Sequence, residues 1–78
     1  MTLDQLKPGQ CATILNLTST GLDRRRMMDL GLLPGTQIAV EMRSPLGDPI
    51  AYNVRGTVIA LRNTQARDIM VEMEADAS

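Results

Sequence analysis

The sequence predicts a small, mainly β protein: about five short antiparallel strands curled into a partly closed barrel, with one short α-helix inserted after the first strand. Alternating apolar and polar residues predict the strands, two Pro-Gly pairs predict turns that launch them, and one stretch carries helix start and stop signals. With 78 residues the chain makes one domain, able to bury only about sixty per cent of its unfolded surface.

Residues 3–6 form a single turn ahead of Pro8. In Pro8-Gly9, proline fixes the first central position of a tight turn and glycine accepts positive φ at the second. Residues 11–17 read as the first strand. In the helix that follows, Thr20 caps the early amides and Asp23 reaches back, a capping box with the acid at the positive end of the dipole. Leu22, Met27 and Leu30 share a broad apolar face, while Arg25 and Asp29, four apart, pair weakly on the other. Gly31 supplies a left-handed residue that ends the helix, and Pro34 cannot continue it.

Pro34-Gly35 repeats the earlier turn and launches a strand in which Ile38, Val40 and Met42 alternate with polar neighbours. After the Pro-rich loop 44–49, Ile50, Tyr52 and Val54 alternate in the next strand. Gly56 marks a tight reversal or a bulge before the run 57–61. Residues 63–67 allow one helical turn capped by Asn63, and Ile69, Val71 and Met73 alternate in the last strand. The domain spans residues 1–74, and 75–78 form a frayed acidic tail.

With no Phe or Trp, one Tyr and six Met, the core rests on branched aliphatic chains with methionine filling gaps. The one cysteine, Cys11, has no internal disulfide partner and reads as a buried, inert thiol; with no secretory leader, a reducing cytoplasm is the expected compartment. No apolar run reaches the length of a membrane span. Eight basic against nine acidic residues and a single aromatic offer neither a basic face nor a stacking platform, so nucleic acid is not the expected ligand. There is no histidine, no nucleophile with an orienting partner and no Gly-rich phosphate loop, so no enzyme is expected.

The Arg-rich helix ending in Asp29-Leu30-Gly31, the Leu33-Pro34-Gly35-Thr36 turn, the Pro45-Leu46-Gly47-Asp48-Pro49 loop, then Val54-Arg55-Gly56 and Leu61-Arg62, resemble the FeoA family over nearly the whole chain. The resemblance implies an SH3-like β-barrel and a small cytosolic component of bacterial ferrous iron uptake, working beside the membrane GTPase FeoB. It would reach the membrane only through that partner.

Candidate partner-binding residues are Arg24, Arg25, Arg26, Leu46, Asp48 and Arg55. The arginines of the helix read mainly as a solvated face paired with Asp23 and Asp29, and more sharply as a source of a guanidinium for the partner's nucleotide site. Leu46, at the tip of a stiff loop, either folds back over the barrel or faces solvent as an anchor; folding back is the expectation in the isolated protein. The family is described as binding transition metals, yet without histidine the donors reduce to weak oxygen ligands, Glu41, Glu72 and Glu74, with Asp48 and Asp76 behind them. No cofactor is required. Two alternatives stand beside the transporter accessory: a metal-responsive domain similar to the terminal domain of iron-dependent repressors, and a peptide-binding barrel, disfavoured by the missing aromatic groove. The last strand, 70–74, offers an edge for weak self-pairing, guarded by its glutamates.

Overall fold

The predicted stretches become five strands, each turning side chains onto a shared inner face. A computed structural model describes residues 1–73. A 3-10 turn at Leu3–Gln5 precedes β1 (Cys11–Leu17), helix α1 (Gly21–Asp29), β2 (Gln37–Arg43), β3 (Ile50–Val54), β4 (Thr57–Leu61), the one-turn helix α2 (Asn63–Ala66) and β5 (Ile69–Met73). Every neighbouring pair is antiparallel, in the order β4-β3-β2-β1-β5. The curled sheet stays open between β4 and β5, so it is a barrel only in the loose sense. The expected tail, 75–78, and Glu74 lie outside the described residues.

The inner rows are Ala12, Ile14 and Leu17, Ile38 and Val40, Ile50, Tyr52 and Val54, Leu61, and Ile69 and Val71, all buried and lidded by Leu3, Leu6, Met27 and Leu32. Both Pro-Gly turns form: the Gln10 amide donates to Lys7 O at 3.0 Å and the Thr36 amide to Leu33 O at 3.0 Å. Gly31, at φ 92°, ends α1 as a Schellman cap, with its own amide on Met28 O at 2.9 Å and the Leu32 amide on Met27 O at 3.0 Å. That reversal aims Leu32 back into the core.

Several expectations fail for local reasons. Thr20 stands at the N-cap but its side chain makes no cap bond. The first helical residue, Gly21, has φ 63°, so the opening turn is irregular and does not present its amides to Thr20 or draw Asp23 back. The apolar face of α1 shrinks to Met27; Leu22 is 80% exposed and Leu30 and Met28 are exposed too. Leu22 and Met27 stand about 140° apart around a helix, too wide an arc for one short contact. Arg25 and Asp29 do not pair, and among the described residues the one ion pair joins Arg67 to Asp4 at 3.8 Å.

A bulge in β2 inserts Glu41, because Val40 opposes Tyr52 whereas Met42 opposes Ala51. Met42 is thereby turned outward, 65% exposed, and Arg43 reaches inward to donate to Leu6 O at 2.6 Å. Met73, at the strand end, is also exposed. Cys11 is exposed rather than buried, since Ala12 and Ile14 take the inner positions of β1.

The two sheet edges differ. Along β5, Val71 and Met1 exchange main-chain bonds, Val71 N to Met1 O at 2.8 Å and Met1 N to Val71 O at 3.3 Å, and Thr2 bridges to Met70. The edge expected to self-pair is therefore already covered. Along β4 no backbone bond to another element exists beyond the β3 ladder among the described residues.

Candidate functional site

The sequence candidates gather at the two ends of the β3–β4 hairpin and on α1. The hairpin turns through Arg55 and Gly56, at φ 54° and 84°, the type I′ geometry that matches strand twist. Arginine is strained there, glycine is not. Asn53 braces the turn: its Oδ1 accepts the Gly56 amide at 3.0 Å and its Nδ2 donates to Glu41 Oε1 at 2.8 Å. The C-terminal cap of α1 packs at this same end, where a methyl added to Gly31 would lie 3.8 Å from Val54 Cγ1.

At the other end of β4 the 44–49 loop is clasped to α2. Asp48 Oδ1 accepts the Asn63 amide at 2.9 Å, and Asn63 Nδ2 donates to Gly47 O at 3.0 Å. Asn63 was expected to cap its own helix; instead Asp48, distant in sequence, supplies the acceptor, and Gln65 Oε1 takes the Arg62 amide at 3.0 Å. Asp48, a candidate for partner contact, thus already has a structural task. The clasp holds Leu46 away from the core. It is 93% exposed and caps nothing, contrary to the expectation.

The three arginines of α1 separate. Arg24 Nη1 donates to Leu17 O at 2.8 Å, closing the end of β1, whereas Arg25 and Arg26 make no side-chain hydrogen bond or ion pair among the described residues. Arg55 and Arg62 are likewise unengaged and exposed. Sequence reasoning placed the run 57–61 but named neither it nor Arg62 as a candidate site: β4 carries no charge and no proline, a signal readable in Thr57–Leu61.

On the outer face of β1 to β3 an open hollow of about 270 Å³ is bordered by Cys11, Gln37, Ala39, Asn53 and Arg55. It holds one thiol and no second soft ligand. The expected metal donors do not come together: Glu41 on β2 is bonded to Asn53, Glu72 lies on β5 with β1 between them, and Glu74 is outside the described residues. Among the described residues no three His, Cys, Asp or Glu side chains could share an ion, so the donor set does not fit a transition metal. Beneath the hairpin, Tyr52 is fully buried and its hydroxyl has no partner, as is true of Ser44 Oγ nearby in the chain. Burial pushes the Tyr52 phenol up from 10 to about 12, eased by Arg43 and reinforced by Asp4 and Asp48. No described helix is long and apolar enough to cross a membrane.

A family model for the FeoA domain matches residues 1–73. The chain belongs to the FeoA family. A Porphyromonas gingivalis protein described as a fusion of Fe(2+) transport protein A with the Fe(2+) transporter FeoB is 33% identical over 73 residues, which cover 94% of this chain and 9% of the fusion's length. The FeoA protein of Chlorobium tepidum is 37% identical, with a TM-score of 0.91 over 100% of this chain and 74% of that one. The zinc-complexed FeoA of Stenotrophomonas maltophilia, described as a prokaryotic SH3 domain protein, is 26% identical, with a TM-score of 0.82 over 92% of this chain and 89% of its own. The fold of this FeoA chain is accordingly SH3-like.

Proposed function

We propose that this chain is a non-enzymatic accessory protein of ferrous iron uptake that docks on the cytosolic side of a FeoB-type transporter and adjusts its assembly or its nucleotide cycle. One observation carries the reading: a relative holds the FeoA and FeoB parts in a single polypeptide, and fusion enforces proximity that separate chains must find by binding. The chain's own residues suit a binding role. Arg25 and Arg26 stand unpaired beside the exposed Leu22, and Leu46 is presented on a clasped loop, an apolar anchor with a charged surround.

The test is an NMR titration of the labelled chain with its full-length cognate transporter in lipid nanodiscs, without nucleotide and with a GTP analogue. Selective shifts or broadening at Leu46, Arg25, Arg26 and Arg55 are expected, and an unchanged spectrum in both states overturns the reading. Arg25→Ala combined with Arg26→Ala should weaken binding while leaving GTP turnover at saturation unchanged, because docking arginines act through charge complementarity. A guanidinium acting on the transferred phosphoryl group would instead cost about a thousandfold in turnover.

A further inference from the structure

We propose that the free edge of β4 is a strand-addition site for an extended segment of the transporter, one with an apolar centre and an acidic residue at each end. This rests on the transporter reading above and names the contact within it.

The main-chain geometry comes first. Residues 55 and 56 make a two-residue hairpin, so Val54 and Thr57 form its hydrogen-bonded closing pair. Alternation along the ladder then turns Ile59 and Leu61 toward β3 and leaves the N–H and C=O of Val58 and Ala60 aimed away from the sheet. These are two donors and two acceptors, in the spacing an antiparallel strand requires. β4 pairs with β3 without a register shift, whereas β1 and β2 are both bulged.

Natural edges are blunted by charge, proline, bulges or covering chain. The β5 edge has the last of these, through Met1 and Thr2, and Glu72 as well. Among the described residues the β4 edge has none of them. Val58 is 59% exposed, Ala60 is exposed beside Ala51, and Met42 completes that cross-strand row. The outer surface next to the edge is therefore apolar and low, with Leu46 held near its α2 end.

Charge decides the occupant. The strand is bracketed by Arg55 and Arg62, neither engaged by another side chain among the described residues. A second copy paired about Ile59 would bring Arg62 of each molecule beside the Arg55-Gly56 turn of the other, setting like charges together. A transporter segment with an acidic residue at either end meets both arginines favourably, and spanning them takes about 23 Å of extended chain at the usual strand rise.

The experiment measures binding of the full chain to the cognate transporter in nanodiscs, with folding of each variant checked by its amide spectrum. Ala60→Pro removes one outward N–H without touching the β3 ladder, since proline is tolerated where the missing donor faces away. Val58→Lys keeps every donor but places a charge on the edge, and Glu72→Lys on the covered edge is the control. Ala60→Pro and Val58→Lys should each weaken binding by about tenfold or more, with Glu72→Lys unchanged. The Val58 and Ala60 amides should become slow to exchange in the complex. Binding by the unaltered chain that both edge variants retain overturns the edge and leaves the transporter reading standing. No binding by the unaltered chain overturns both. Self-association that Ala60→Pro abolishes, with transporter binding intact, assigns the edge to a second copy and likewise overturns the proposal.

Discussion

The β3–β4 hairpin and the β1–β5 pair are built from similar sequence, short alternating strands, yet they end differently. On the β5 side the core residues Ile69 and Val71 are aliphatic and the outer edge is closed by Met1 and Thr2. On the β4 side the core holds Tyr52 with an unpartnered hydroxyl, the turn holds Arg55 at positive φ, and the edge is open. The unpartnered hydroxyl, the positive-φ turn and the open edge fall in one half, whereas the bulge of β1 falls in the other. Under the proposed strand addition, the open edge and the strained turn beside it would belong to the partner surface.

The strongest way to break the comparison is Leu61→Ala, which removes the one fully buried side chain of β4. It should cost about 2–5 kcal/mol in denaturant unfolding. Native-state amide exchange should quicken in β4 well before β5; equal quickening in both would show that the halves do not separate.

A second effect is specific to alkaline solution. The phenol of Tyr52 titrates near 10 when unfolded and is pushed up to about 12 by burial. The unfolded chain then releases a proton that the folded chain keeps, so this contribution is intact below pH 10 and is lost as pH rises toward 12. The folding constant should fall roughly tenfold per pH unit across that window. Tyr52→Phe should abolish the fall and, by removing a buried hydroxyl without a partner, add about 1 kcal/mol at neutral pH. A variant that still loses stability in parallel with the parent would place the titration elsewhere.

The smallest change sharpens the hairpin itself. Arg55→Asn builds the Asn-Gly turn that tolerates positive φ, and should raise stability by about 0.5–1 kcal/mol. Thermal unfolding would register it as a rise of a few degrees, and a fall would mean that the Arg55 side chain stabilises the turn by contacts of its own.

Much of this half-and-half design was legible beforehand. Period-two patterns located β2, β3 and β5, the runs 11–17 and 57–61 became β1 and β4, both Pro-Gly turns formed, and Gly31 ended the helix as expected. What escaped was non-local. The bulge at Glu41 reverses Met42 because one inserted residue inverts every later side chain of a strand, and nothing in the local alternation announces it. Asp48 serves as the acceptor for Asn63 across 15 residues, so the loop reads as free in sequence and as clasped in space. Leu46 and Cys11 were placed inward on composition alone, although burial depends on strand parity and loop anchorage. The same is true of the edges: only the topology shows that Met1 reaches Val71, and hence which strand is left bare.

The Met1–Val71 exchange has a further consequence, for tethering. It brings Met1 and Thr2 alongside the last strand, so the described residues begin and end on the same margin of the sheet. β4 forms the other margin. Under the proposed function, covalent linkage to the partner would raise its local concentration without itself supplying the contact. Under the proposed strand addition, a free-standing chain and a fused one would use the same rim and differ in how often it is visited.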